Sequence, residues 1–339
     1  MTEPLTTMPE NEQPVLNISG LSTVYNLKIG QVKSVTDVSF ELARGEILGL
    51  VGESGSGKSV TGLSIAGLIT APGRVVSGSV LLHGQELTTL SENALRAIRG
   101  NDISIIFQDP MTTLNPVLTI GQQFFEVIHA HRKCSYSQAK KEAEAALIEV
   151  GIPAPRERLG NYPHELSGGM RQRVCIAISL INKPSVVIAD EPTTALDVTI
   201  QSQILHMMQR LVRERDVAMI WVTHDLSVVA GFCDKLAVMY AGRIVEAGPV
   251  QQVLSNPAHP YTAGLMDSIP GDCLPGSRLE QIPGTQPSPL QLPSGCAFRT
   301  RCKYARNECA EKPPEVAVGS GRTAQCFFPL TEVQNVRRK

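Results

Sequence analysis

The segment Gly52-Glu53-Ser54-Gly55-Ser56-Gly57-Lys58-Ser59 has the spacing G-x-x-x-x-G-K-[ST], the pattern of a loop that wraps a phosphate chain. Its glycines let several backbone N–H groups point inward at phosphate oxygens, and the helix expected to follow adds its positive end. Lys58 supplies a charge for the β- and γ-phosphates, and the Ser59 hydroxyl is placed to ligate Mg2+. A phosphate loop also needs a carboxylate for the metal. The run Ser185-Val186-Val187-Ile188-Ala189-Asp190-Glu191 provides two acids at the end of an apolar strand. There Asp190 can hold Mg2+, directly or through water, and Glu191 can polarise an attacking water.

A second group of reactive residues lies near the C-terminal end. Of eight cysteines, Cys134, Cys175, Cys233 and Cys273 are scattered and read as ordinary thiols. Cys296, Cys302, Cys309 and Cys326 are clustered, with five, six and sixteen residues between them. In a reducing compartment such a cluster more often binds metal than forms disulfides. Structural zinc sites commonly pair cysteines about two to four residues apart, and that knuckle is missing. The looser spacing suits a cluster larger than one ion, and a [4Fe–4S] centre needs four thiolates spread around a cube. Iron–sulfur, zinc, and disulfides or free thiols stand as alternatives in that order. Arg299, Arg301, Lys303 and Arg306 interleave these cysteines, either offsetting the charge of a thiolate-bound cluster or simply exposed to solvent.

The elements that must position these groups follow from the hydrophobic pattern. Strand-sized apolar runs occupy 38–42, 46–51, 79–82, 103–107, 186–189 and 219–222, and a helix is expected from Gly57 to about Ile69. Residues 110–163 read as helical: Ser137 caps a helix in which Ala139, Ala143, Ala146, Leu147 and Val150 recur at three- and four-residue spacing, and Gly151 stops it. Phe124, Phe125, Val127 and Ile128 read mostly as the core of this helical stretch. From Leu166 to about Val253 apolar strands and amphipathic helices alternate, which points to a mostly parallel sheet covered on both faces. Between Pro270 and Gly295 six prolines and four glycines predict an irregular arm leading to the cysteines.

Composition sets the frame. At 339 residues, one large α/β domain with an appendage, or two domains, is expected. The 31 Lys+Arg against 32 Asp+Glu argue against a general nucleic-acid binder. No apolar run approaches the roughly 18 to 20 residues of a spanning helix. The polar residues 1–14 do not resemble a secretory signal, so the cytosol is the default compartment.

The segment Leu166-Ser167-Gly168-Gly169-Met170-Arg171-Gln172-Arg173 resembles the signature sequence of ATP-binding cassette ATPases, with Met170 where the commonest form has Gln. Ser167 and the glycines begin a helix whose free N–H groups can cap an anion. The resemblance implies that this anion is the γ-phosphate on a partner's phosphate loop, contacted by Ser167, Gly168, Gly169 and Met170. It implies further that Gln108 contacts the metal and attacking water, that Asp197 in Ala195-Leu196-Asp197 lies on a loop crossing a dimer interface, that His224 contacts the γ-phosphate, and that Tyr25 lays its ring against adenine.

Longer segments, namely 52–59, 106–116, 189–201 and His259-Pro260-Tyr261-Thr262 with the Cys-rich tail, resemble the ATP-binding subunits of bacterial oligopeptide, dipeptide and nickel importers, over residues 15–329. The implied fold is an α/β P-loop NTPase cassette with a β-subdomain and a helical subdomain. A flexible tail (1–14) would precede the nucleotide-binding domain (15–255, helical subdomain about 110–165), and an irregular Cys-rich extension (256–339) would follow. The implied activity is ATP hydrolysis with Mg2+, energising import of di- and oligopeptides. The implied partners are a second ATPase subunit, with a heterodimer favoured, two membrane permeases and an extracytoplasmic binding protein reached through them, and no nucleic acid. This places the chain at the cytoplasmic face of the inner membrane. The resemblance also implies a [4Fe–4S] centre on Cys296, Cys302, Cys309 and Cys326. The competing readings are a soluble cassette working on nucleic acid or ribosomes, and an iron- or redox-regulated ATPase. The former predicts a second cassette, a long coiled-coil insertion or a basic excess, none of which the sequence contains.

Overall fold

The computed structural model describes residues 14–194, 196–269 and 281–330. The expectations for residues 1–13, Ala195 and residues 270–280 with Cys273 lie outside the described residues. The chain forms two compact units: one holds the described residues up to Ile18, Phe40–Glu46 and Ser79–Met219, the other Ser19–Ser39, Ile47–Gly78 and the described residues from Ile220 onward.

In the first unit the strands Ile103–Ile106 and Val186–Asp190 run parallel, in register from Ile103 opposite Val186 to Ile106 opposite Ala189. Val186, Val187, Ile188 and Ala189 are all buried, the pattern of a strand covered on both faces. The stretch read as helical contains Pro110–Thr113, Ile120–His131, Tyr136–Glu149 and Pro155–Arg158. Thr119 and Gln122 form a capping box at the start of Ile120–His131, and Phe124 and Ile128 of that helix are wholly buried. Tyr136–Glu149 begins earlier than the sequence suggests. Ser135, not Ser137, is its N-cap, accepting the Gln138 N–H at 3.2 Å, because only a hydroxyl three residues upstream reaches that orphan amide. Ala139, Ala143, Ala146 and Leu147 form its buried face, and Gly151 at φ +72° ends it.

The second unit carries a sheet in the order Glu315–Gly319, Arg322–Gln325, Arg243–Pro249, Lys235–Tyr240, Ile47–Val51 and the Ile220–Thr223 end of Ala218–Thr223. Ile47–Val51 is parallel to Lys235–Tyr240, with every Ile47–Val51 residue buried. The strands beyond Lys235–Tyr240 are antiparallel, so this sheet is mixed where a mostly parallel one was expected. The helix after the phosphate loop is Lys58–Ile65, shorter than the expected run to Ile69. Its end is a Schellman motif: Gly67 takes φ +65°, Leu68 N–H bonds to Leu63 C=O and Gly67 N–H to Ser64 C=O.

The Cys-rich extension is not wholly irregular. Its hairpin, Glu315–Gly319 with Arg322–Gln325, joins the sheet by pairing Ala324 with Glu246 and Thr323 with Ala247. Glu246 itself is 1% exposed. Burial raises its pKa, opposed by the backbone N–H groups of Ala258 and His259, which donate to its carboxylate at 2.9 and 2.8 Å. That carboxylate closes off two amides that would otherwise be orphaned in the interior.

Candidate functional site

The phosphate loop is built by close backbone approach. A Cβ at Gly52 would lie 2.2 Å from the Met239 carbonyl oxygen, and one at Gly57, which sits at φ +104°, would lie 2.3 Å from the Ser34 carbonyl oxygen. No side chain fits at either position, so glycine is a steric requirement there. Glu53 C=O accepts the Ser56 N–H at 3.1 Å, and Gly242 N–H donates to Ser56 C=O at 2.8 Å. Lys58, 5% exposed, donates from Nζ to the carbonyls of Gly52 (2.8 Å) and Glu53 (3.1 Å). The ammonium is thus held against the loop rather than free in solvent. Ser54, Gly55 and Ser59 are exposed, while Ser56 is wholly buried and its hydroxyl has no hydrogen-bond partner among the described residues. Gly57 is the N-cap of Lys58–Ile65 and offers no side-chain acceptor, which leaves that helix start open to an anion.

Also in the second unit, Tyr25 lies on the strand Leu16–Leu27, and its ring packs over Gly73, where a Cβ would come within 2.5 Å of it. His224 is exposed, directly after the Ala218–Thr223 strand, and Asp225 next to it caps Leu226–Phe232.

In the first unit the parallel register brings together two of the expected groups. Gln108 follows Ile103–Ile106 and Glu191 follows Val186–Asp190, so both emerge at the carboxyl ends of paired strands. Gln108 Nε2 is 3.5 Å from Glu191 Oε2, which also accepts the Thr194 hydroxyl at 3.2 Å. Glu191 adopts φ +46°, a left-handed conformation that costs energy for a residue other than glycine and marks a constrained position. Asp190 is the last residue of its strand and half-buried.

Ser167 is the N-cap of Gly168–Leu180, accepting the Met170 N–H at 3.3 Å. Gly169 is packed so tightly that a Cβ would come within 2.9 Å of Ile200. Asp197 caps Val198–Arg215, accepting the Ile200 N–H at 3.0 Å, and the following Val198 is 77% exposed.

The four clustered cysteines do converge, though not into a compact ligand group. Cys296, Cys302, Cys309 and Cys326 are free thiols, as are the other described cysteines, so no described disulfide ties the extension. Burial raises the pKa of Cys326 to about 11, and the charges of Cys296, Cys302 and Cys309 add to it, which requires all four to share one neighbourhood. Burial likewise raises Cys296, with further upward effects from Cys302 and Cys309. The Arg306 N–H lies 3.5 Å from Cys309 Sγ, and backbone hydrogen bonding lowers the pKa of Cys296, Cys302 and Cys326 against the larger effect of burial. Among the described residues, however, no three His, Cys, Asp or Glu side chains stand close enough to hold a metal ion. The described side-chain geometry therefore gives no support of its own to the expected iron–sulfur site.

Sequence reasoning missed the groups that hold the phosphate loop from outside. Arg301 makes two hydrogen bonds to the Glu53 carboxylate, at 2.8 and 3.1 Å, and Tyr261 Oη accepts the Glu53 N–H at 2.9 Å. Arg301 is thus neither a counter-charge to the thiols nor exposed. Tyr261 stood within a quoted motif without an assigned role, and nothing in the spacing links either residue to position 53.

Residues 35–194 match the ABC transporter family, and residues 245–309 match the family described as oligopeptide/dipeptide transporter, C-terminal region. A Brucella melitensis protein named as a peptide import ATP-binding protein is 50% identical over 330 residues, covering 94% of this chain and 98% of that one. The oligopeptide transport ATP-binding protein OppD of Salmonella typhimurium is 45% identical over 333 residues, covering 98% of this chain and 99% of OppD. Among solved structures, the post-hydrolysis dimer of the ATP-binding cassette MJ0796 bound to ADP and Pi superposes with a TM-score of 0.63 at 26% identity, over 69% of this chain and 98% of that one. The fold is that of the cassette-type P-loop NTPases, and the chain belongs to the family of ATP-binding-cassette ATPase subunits of peptide importers.

Proposed function

We propose that this chain is the ATP-hydrolysing subunit that energises peptide import through partner membrane permeases. The observation that carries the reading is the phosphate loop of 52–59, with its buried lysine and uncapped helix start, in a chain matched over 94% and 98% of its length by proteins named as peptide-import and oligopeptide-transport ATP-binding proteins. Lys58 and the loop amides would take the β- and γ-phosphates of ATP, Ser59 and Asp190 would hold Mg2+, and Tyr25 would stack on adenine. Bound Mg2+ neutralises charge on the phosphate oxygens. Glu191 draws a proton from the attacking water, Gln108 orients that water, and His224 contacts the γ-phosphate. Ser167, Gly168, Gly169 and Met170 cap the γ-phosphate held by a second ATPase subunit, with Asp197 at the same interface. The partner is a similar, non-identical subunit, so that the pair is a heterodimer.

Closure on ATP does work only if the nucleotide binds the closed state better than the open one, which is how the permeases obtain alternating access. Among the described residues no helix is long and apolar enough to cross a membrane. Attachment at the cytoplasmic face of the inner membrane therefore rests on the permeases, and an extracytoplasmic binding protein delivers the peptide to them. Phosphate release by the assembled transporter tests this: it rises when binding protein loaded with a mixed peptide pool is added. Release that no peptide stimulates contradicts the peptide assignment.

The four clustered cysteines are, in this reading, the ligands of a [4Fe–4S] centre that pins the extension. Their supports are the shared neighbourhood of four free thiols and the Arg306 N–H at 3.5 Å from Cys309 Sγ, a kind of hydrogen bond that tunes such clusters. Anaerobically purified protein should contain about four iron and four labile sulfide per chain. Protein lacking both rejects the cluster.

A further inference from the structure

The second residue of the phosphate loop is gripped at both its backbone and its side chain. Arg301 Nη1 donates to Glu53 Oε2 at 2.8 Å and Nη2 to Oε1 at 3.1 Å, the forked geometry that fixes a carboxylate in orientation as well as position. Arg301 Nε donates to the Pro283 carbonyl at 2.9 Å, and the guanidinium lies 5.9 Å from the ring centroids of both Tyr240 and Phe298. The arginine side chain is 6% exposed, against 29% for Glu53. Burial opposes its charge, but the Glu53 and Tyr240 hydrogen bonds raise its pKa, so it remains cationic. A loop movement that withdrew Glu53 would leave a buried, unpaired cation, which is strongly disfavoured.

The backbone hold comes from Tyr261, itself fully buried against Tyr240 and Phe298, whose Oη accepts the Glu53 N–H. Glu53 C=O in turn accepts from Ser56 N–H and Lys58 Nζ, so fixing Glu53 fixes the bonds that shape the rest of the loop. Arg301 is presented by a turn between Cys296 and Cys302, in which Arg299 N–H bonds to Cys296 C=O and Arg301 N–H to Phe298 C=O.

We propose that Arg301 and Tyr261 are positioning residues for the phosphate loop, through which the C-terminal extension sets the affinity of the chain for ATP. The inference rests on the reading of 52–59 as the ATP site. A loop already held in its binding shape loses less freedom when nucleotide arrives, which strengthens binding without any contact to the ligand.

The test uses the full-length chain and reads MgATP affinity, amide hydrogen exchange across 52–57, and steady-state kinetics with the assembled transporter. Arg301→Met is expected to raise Kd and KM for ATP about tenfold, within the usual range of coupling between sites, and to speed exchange of the loop amides. Because Arg301 touches no reacting atom, kcat should stay within about twofold of wild type. Arg301→Lys should recover part of the affinity, since an ammonium replaces one of the two bonds. Glu53→Gln should weaken binding similarly, and the double variant should be no worse than either single one. Should Arg301→Met lose its cooperative melting, Tyr261→Phe decides, because it removes one hydroxyl and leaves the buried ring: faster loop exchange with weaker ATP binding supports the proposal. Wild-type affinity and exchange in Glu53→Gln and Tyr261→Phe overturn it. A wild-type chain that binds no MgATP at all refutes the ATPase reading instead.

Discussion

Replacing Glu191 with Gln is expected to lower ATP turnover by about 10²- to 10⁴-fold, the usual contribution of a general base, while leaving ATP affinity close to wild type. The substitution keeps the side-chain length and an oxygen for the Thr194 hydroxyl, which now donates at 3.2 Å. What it removes is basicity: an amide cannot take a proton from water. The backbone at φ +46° is set by the turn after Val186–Asp190, so the variant inherits the same strain and its fold should be unaffected. ATP binding measured with Mg2+ alongside phosphate release checks both halves. Wild-type turnover in the assembled variant would sink the assignment of Glu191 as the base.

Lys58→Met is expected to weaken ATP binding by at least about a hundredfold. Hydrogen bonds to charged groups contribute about 1.5 to 3 kcal/mol each, and an ammonium reaching the β- and γ-phosphates, as proposed, would make more than one of them. Methionine retains most of the stem volume at a position that is 5% exposed, which avoids the cavity that alanine would leave. The carbonyls of Gly52 and Glu53, which accept from Lys58 Nζ, lose that donor, so a modest loss of stability should accompany the loss of binding. Isothermal calorimetry with MgATP, compared with thermal melting, separates the two. An unchanged Kd would remove Lys58 from the phosphate site.

Much of the fold was legible because the relevant signals are local. The runs at 47–51, 103–106, 186–190 and 218–223 are strands because they are predominantly apolar and of strand length, and Gly151 ends its helix by entering the left-handed region, whereas the same stop at Gly67 fell inside the helix expected to reach Ile69. Ser135 and Ser137 both precede the same apolar face, so pattern alone could not choose the cap; the three-residue spacing to the Gln138 amide did. The hairpin of 315–325 was hidden by short strands alternating charged, small and apolar residues, whose value emerges only on pairing with Arg243–Pro249.

The candidate site residues could be named for the same reason, since the spacing of 52–59 and the acid pair Asp190-Glu191 at the end of an apolar strand are sequence-local. The pairing of Glu53 with Arg301 could not. The two lie 248 positions apart, and a lone arginine among cysteines gives no sign of the carboxylate it will meet. That Ser167 begins a helix is legible in the sequence; that its hydroxyl and the Asp197 carboxylate each accept an amide at a helix start is seen only in the structure.

The most direct measurement is ATP-dependent uptake of a labelled peptide into proteoliposomes that carry this chain, its partner ATPase and the permeases, with binding protein supplied outside the cytoplasmic face. The wild-type chain should support accumulation and Glu191→Gln none, although both bind ATP. Equal uptake with the two chains, or ATP hydrolysis that moves no peptide, would contradict the proposed function.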